Sequence, residues 1–144
     1  MVAAVLDTNV LATGFLSRLT APRQIMHAWR AGLFHLVISE HIIAELSRTL
    51  AKDYFSRRLA ADRATRAIAL LRAEATVTPL TAAITGVATH PEDDLILATS
   101  VSGKAAYLVT GDKQLQKLGS FKGVTILSPA DFLKTLTASY EEAA

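Results

Sequence analysis

The stretch His35-Leu36-Val37-Ile38-Ser39-Glu40-His41-Ile42-Ile43-Ala44-Glu45-Leu46-Ser47-Arg48-Thr49-Leu50 changes its period at Ser39. Before the serine lies a short, largely apolar run of the kind a strand buried on both faces requires. After it, Ile42, Ile43, Leu46 and Leu50 recur at helical spacing, and Ser39 stands where a helix N-cap belongs. A strand running directly into a helix is half of a parallel crossover, and the pattern repeats outward in both directions. Toward the N-terminus, Val2–Leu6 reads as a strand and Arg23–Ala31 as a helix presenting Ile25, Met26 and Trp29. Toward the C-terminus, Arg63–Ala75 places Ala67, Ile68, Leu70 and Leu71 on one face, while Thr76–Pro79, Ala106–Val109 and Val124–Leu127 read as strands. Pro91 suits a first helical position ahead of Glu92, Asp93 and Asp94. Ser128-Pro129-Ala130-Asp131 joins a capping serine, an N1 proline and an acid at N3. Residues 80–90, rich in Thr, Ala and Gly, carry no period and read as a loop.

Strands alternating with helices predict an α/β fold: one domain over residues 1–138, a five-stranded parallel sheet with helices on both faces, and a short C-terminal tail at 139–144. A length of 144 residues suits a single hydrophobic core. With no cysteine, there is no disulfide framework, thiolate zinc site or cysteine nucleophile. No apolar run approaches the roughly 20 residues a membrane-spanning helix needs. The N-terminus has neither the basic region nor the apolar stretch of a signal peptide, so a cytoplasmic, non-membrane protein is expected. The formal charge of +2 is unevenly spread: residues 1–75 hold ten of the fifteen basic side chains, all arginine except Lys52. Such a half is compatible with phosphate contacts, although on charge alone solvated helix faces are the simpler reading.

In a parallel sheet, ligands bind beyond the carboxyl ends of the strands. Asp7 follows the first strand at once, and Asp112 follows the fourth after Thr110 and Gly111. Asp94 begins the helix that leads into the fourth strand, and Glu45 lies about a turn and a half into the helix after the second. Four segments thus deliver four carboxylates to one rim. Each also has a local role open to it. Asp7 and Asp112 can cap helices, the 92–94 acids can face a helix dipole, and Glu45 can pair with Arg48. Convergent carboxylates without a paired base repel one another, and a divalent cation removes that penalty. Ligation by oxygen alone suits Mg²⁺ or Mn²⁺. The histidines at 27, 35, 41 and 90 lack zinc-like spacing, and His41 with Glu45 reads as a surface contact. No P-loop, G-x-S-x-G or G-x-G-x-x-G motif is present.

Leu6-Asp7-Thr8-Asn9-Val10 resembles the opening motif of PIN-domain nucleases. Ser39-Glu40-His41-Ile42-Ile43-Ala44-Glu45-Leu46 resembles their second motif, Pro91-Glu92-Asp93-Asp94-Leu95-Ile96-Leu97-Ala98-Thr99 the third, and Leu108-Val109-Thr110-Gly111-Asp112 the fourth. The similarity is closest to single-domain VapC-like toxins of toxin–antitoxin pairs, and it extends over essentially the whole chain. It implies a Mg²⁺- or Mn²⁺-dependent ribonuclease cutting single-stranded RNA, a homodimer, and inhibition by a small antitoxin protein. Asp7, Glu45, Asp94 and Asp112 become the catalytic and metal-binding acids, with Thr8, Asn9, Asp93 and Thr110 in support. Asp94 is chosen over Asp93 because Leu97-Ala98 then falls where the family motif has an aliphatic residue followed by alanine. Two alternatives stand beside this reading. Asp7-Thr8-Asn9-Val10 is also near the D-x-D-x-[TV] motif of haloacid-dehalogenase-type phosphatases, with Asp7 as nucleophile, although Asn9 stands where that chemistry needs an acid. A PIN-fold module that binds RNA or protein without cutting is the other.

Overall fold

The computed structural model describes the backbone of residues 1–143 and the side chains of residues 1–139. The chain runs β1 (Ala3–Leu6), α1 (Thr8–Leu16), α2 (Ala21–Arg30), β2 (His35–Ile38), α3 (Glu40–Leu50), α4 (Asp53–Ser56) and α5 (Ala61–Glu74). It continues through β3 (Thr76–Val77), α6 (Pro91–Ser102), β4 (Tyr107–Val109), α7 (Lys113–Leu118), β5 (Ser120–Phe121), β6 (Val124–Leu127) and α8 (Pro129–Ala143). The tail expected from residue 139 begins inside α8, which continues to Ala143; Ala144 lies outside the described residues.

The sheet order is β3-β2-β1-β4-β6-β5, parallel throughout except for the antiparallel β5–β6 pair. Six strands therefore replace the expected five. The addition is a two-residue strand closed on β6 by Lys122 (φ 46°) and Gly123 (φ 83°), a pair of positive φ values that makes a tight twisted hairpin. The strand expected at 76–79 stops at Val77, because Pro79 has no N–H to extend the ladder.

Because β1 sits mid-sheet, its crossover through α1 and α2 leaves toward β2, whereas the chain leaving β4 heads the other way toward β6. The β3-to-β4 crossover that carries α6 also runs opposite to the β1-to-β2 one, and right-handedness in both puts α6 on the face opposite α1 and α2, where it packs on β1, β2 and β4. The divergence opens a crevice beyond the carboxyl ends of β1 and β4. The walls are rigid. Leu6, Leu36, Ile38, Leu97 and Leu108 are fully buried, each contributing roughly 1.5–3 kcal/mol over exposure. Phe132 of α8 sets its ring edge-to-face on Phe34, 5.2 Å between centroids. Helices α1 and α2 meet closely at Gly14, where an added Cβ would lie 2.6 Å from Met26 Cγ. Among the described residues no helix is long and apolar enough to cross a membrane.

Candidate active site

Asp7 and Asp112 each begin a helix at the crevice. Asp7 caps α1 through Oδ1, which accepts the Val10 N–H at 3.1 Å, while Oδ2 accepts the Thr110 hydroxyl. Asp112 caps α7 through Oδ1, which accepts the N–H groups of Gln114 (2.7 Å) and Leu115 (3.3 Å). Thr110 joins the two acids, since the hydroxyl that donates to Asp7 also accepts the Asp112 N–H at 3.0 Å. Gln116 Nε2 donates to the Thr110 carbonyl at 2.7 Å and steadies that junction. The capping role and the rim position foreseen for these acids therefore coexist. The Asp112 cap uses Oδ1 and leaves Oδ2 available, whereas both Asp7 oxygens accept hydrogen bonds, one from the cap and one from Thr110.

Glu45 arrives from α3. Its Oε2 accepts the Thr8 hydroxyl at 3.0 Å and lies 3.4 Å from His41 Nε2. Arg48 is not its partner among the described residues. His41 is more than the surface contact its spacing suggested, for its Nε2 is shielded from solvent and has no hydrogen-bond partner among the described residues. The four-residue interval to Glu45 was the signal for it. Asn9 is exposed and serves through its backbone N–H, one of the groups that pull the Asp7 carboxyl down.

The adjacent acids of α6 go separate ways, as the roughly 100° step of a helix demands. Asp94 is 6% exposed and turns to the 80–90 loop, where its carboxylate accepts three backbone N–H groups: Gly86 (3.0 Å), Val87 (3.2 Å) and Ala88 (2.7 Å). Asp93 turns to the crevice. Burial raises its pKa, the charges of Asp112, Asp7 and Glu45 raise it further, and His90 opposes the rise. The structure thus brings together Asp7, Glu45, Asp93 and Asp112. It commits Asp94 to the loop instead, contrary to the motif register that favoured it.

Electrostatics mark this cluster as incomplete. Burial pushes the Asp7 carboxyl above the ordinary aspartate range, and Glu45 adds to that rise against the pull of Thr110, Val10 and Asn9. Among the described residues no lysine or arginine pairs with any of the four acids. The arginine pairs are Arg57–Asp53, Arg66–Asp62 and Arg72–Glu40, and Arg23 spends its guanidinium on the Gly14 and Phe15 carbonyls. Four oxygen-bearing anions without a counter-cation suit a hard divalent ion chemically. As the side chains stand, no three His, Asp or Glu groups among the described residues are arranged to hold one, so binding requires rotation of carboxylates into the crevice. An apolar groove of about 400 Å³, lined in part by Leu50, Leu59 and Ile68, lies between α3 and α5 and includes none of these acids.

A family model described as the PIN domain matches residues 3–114. VapBC2 from Rickettsia felis, in a crystal structure bound to a DNA fragment from its promoter, is similar with a TM-score of 0.58 at 14% identity, covering 88% of this chain and 98% of that one. FitAcB from Neisseria gonorrhoeae is similar with a TM-score of 0.54 at 17% identity, covering 88% and 97%. At these identities the likeness is one of fold. No curated protein matches the chain.

Proposed function

Since the chain belongs to the PIN-domain family, whose members are generally metal-dependent nucleases, we propose that it is a Mg²⁺- or Mn²⁺-dependent endoribonuclease that hydrolyses single-stranded RNA. One observation carries the reading: the Asp93 carboxyl, raised first by burial and then by the charges of Asp112, Asp7 and Glu45, stands among acids to which no lysine or arginine is paired among the described residues. Asp7, Asp93 and Asp112 would hold the ion, with Glu45 as a further ligand or as the group that orients water.

A divalent cation bound there supplies neutralising charge, a more acidic water and stabilisation of the leaving oxygen. The chain's own residues set the geometry. Thr110 fixes Asp7 against Asp112, and Thr8 fixes Glu45 beside them. Attack of water on phosphorus breaks the bond to the ribose 3′-oxygen, leaving a 5′-phosphate and a 3′-hydroxyl. The phosphatase alternative loses its footing with the family assignment.

The four motifs resembling VapC-like toxins, together with the structural likeness to VapBC2 and FitAcB, support a toxin role. A small antitoxin and a second copy of the chain would then be its partners, in the cytoplasm. The test is cleavage of a single-stranded RNA oligomer by purified protein with Mn²⁺, with EDTA, and with Asp7→Asn. Metal-dependent cutting that Asp7→Asn abolishes is expected. Equal cutting by the variant would overturn the assignment, and metal-independent binding without cutting would point to the non-catalytic module.

A further inference from the structure

Beside Asp93 lies a cleft of about 250 Å³ between the loop carrying Val87, Ala88 and Thr89 and the face of α7 carrying Gln114 and Lys117. Nothing in the reaction outlined above uses it. Its loop wall is built rather than incidental, because the Asp94 carboxylate draws in the N–H groups of Gly86, Val87 and Ala88. The loop is held at its other end by Ser102, whose hydroxyl accepts the N–H groups of Thr81 and Ala82, each at 3.0 Å. Helix α7 is fixed in turn by its Asp112 cap. The cleft is thus a preorganised slot lined in part by Asp93, one of the clustered acids.

Its chemistry differs from that of the acidic crevice. Lys117 forms no ion pair among the described residues, so a free ammonium stands at the cleft. Gln114 uses its backbone N–H on Asp112, which leaves its side-chain amide for another partner. A cation for a phosphate and an amide for the edge of a base are the two contacts a nucleotide unit asks for.

The geometry points to this cleft as a subsite for one nucleotide flanking the scissile phosphate, with Lys117 on the neighbouring phosphate and Gln114 reading the base edge. Asp94 is the positioning residue that holds the opposite wall. The inference rests on the ribonuclease reading and adds a specificity determinant to it.

Two measurements test it. Binding of a labelled single-stranded RNA oligomer to Asp7→Asn protein is followed across a KCl series, alone and with Lys117→Gln or Lys104→Gln added. Lys104 precedes β4, at the amino ends of the strands and away from the crevice at their carboxyl ends, and serves as the control. Loss of one phosphate contact flattens the slope of log affinity against log salt by about 0.7 for a single strand. That change is expected for Lys117→Gln and not for Lys104→Gln. In the second measurement, cut sites on a randomised RNA are mapped for the parent and for Gln114→Ala. The variant should relax the preference at one position beside the cut by about tenfold while cutting remains metal-dependent. A parent that cuts RNA while Lys117→Gln keeps the full slope and Gln114→Ala keeps the parental cut-site profile would overturn the subsite alone. A parent that neither binds nor cuts RNA would overturn the subsite and the ribonuclease reading together.

Discussion

Neutralising each of the two adjacent acids of α6 should have opposite consequences. Asp94 accepts three charge-assisted hydrogen bonds at 2.7–3.2 Å, and a bond to a charged group contributes about 1.5–3 kcal/mol. Truncation to alanine does not forfeit the full sum, because Gly86 is exposed and Val87 and Ala88 are half-buried, so water recovers part of it. A net cost of about 4 kcal/mol for Asp94→Ala is reasonable on that basis. Asp94→Asn keeps one acceptor oxygen, which can still serve Val87 and Ala88, but turns an amide N–H toward that of Gly86. Its cost should be about 2 kcal/mol. At about 3 °C per kcal/mol for a chain of this size, melting falls by about 12 °C and 6 °C respectively. Asp93→Asn, in contrast, relieves a carboxylate disfavoured by burial and by three like charges, so the metal-free protein should melt higher while cleavage is lost. Thermal denaturation in EDTA and an RNA-cleavage assay with Mn²⁺, run on all three variants, make the comparison. If Asp94→Asn melts with the parent but cannot cut, and Asp93→Asn cuts normally, the division of labour drawn here is refuted.

Mn²⁺ at about 100 times its dissociation constant should stabilise the parent by about 2.7 kcal/mol, or about 8 °C, and should leave Asp7→Asn unmoved. An equal rise in both would place the ion elsewhere. Thr110→Val removes the hydroxyl that serves both Asp7 and Asp112, and should cost about 1–3 kcal/mol with a marked loss of cleavage. Thr110→Ser should restore most of both, and failure of that rescue in urea melts and assays would argue against a hydroxyl role. Glu40 is held below its ordinary range by its hydrogen bonds to Arg72, at 2.7 and 3.0 Å. A depressed carboxyl stabilises above its unfolded value and loses that contribution as pH falls through the folded value. Arg72→Gln should therefore lose less stability than the parent on acidification below about pH 4.5, and parallel acid-denaturation curves would show that the pair contributes nothing.

The alternation of strands and helices was legible because Ser39 marks so sharp a change of period, and because β1, β2, β4 and β6 are apolar runs with little else to be. β5 was not legible. It is two residues long, and its Lys122-Gly123 turn lacks the Asn-Gly or Asp-Gly signature that announces such hairpins. Asp7 and Asp112 could be placed because each directly follows a strand, which fixes its edge of the sheet. The choice between Asp93 and Asp94 had no such anchor. Helix α6 is buried on every side from Ile96 to Ser100, so apolar spacing carries no phase and cannot say which acid faces the crevice. What decides it is a loop without pattern, whose three N–H groups claim Asp94. His41 was underrated for a related reason: an interval of four residues shows that it meets Glu45, but not that both are drawn inward.

The two-residue strands β3 and β5 bear on how this protein can associate with others. They are the outermost members of the sheet, so β1 and β4 are paired on both sides while β2 and β6 are each partly covered by a two-residue strand. A foreign strand added at either border would find only a couple of free backbone groups, too few to hold it and too short to template stacking. Sheet extension is therefore disfavoured both as a path to aggregation and as a means of dimerisation. If the chain associates with a second copy or with another protein, its helical faces are expected to carry the contact.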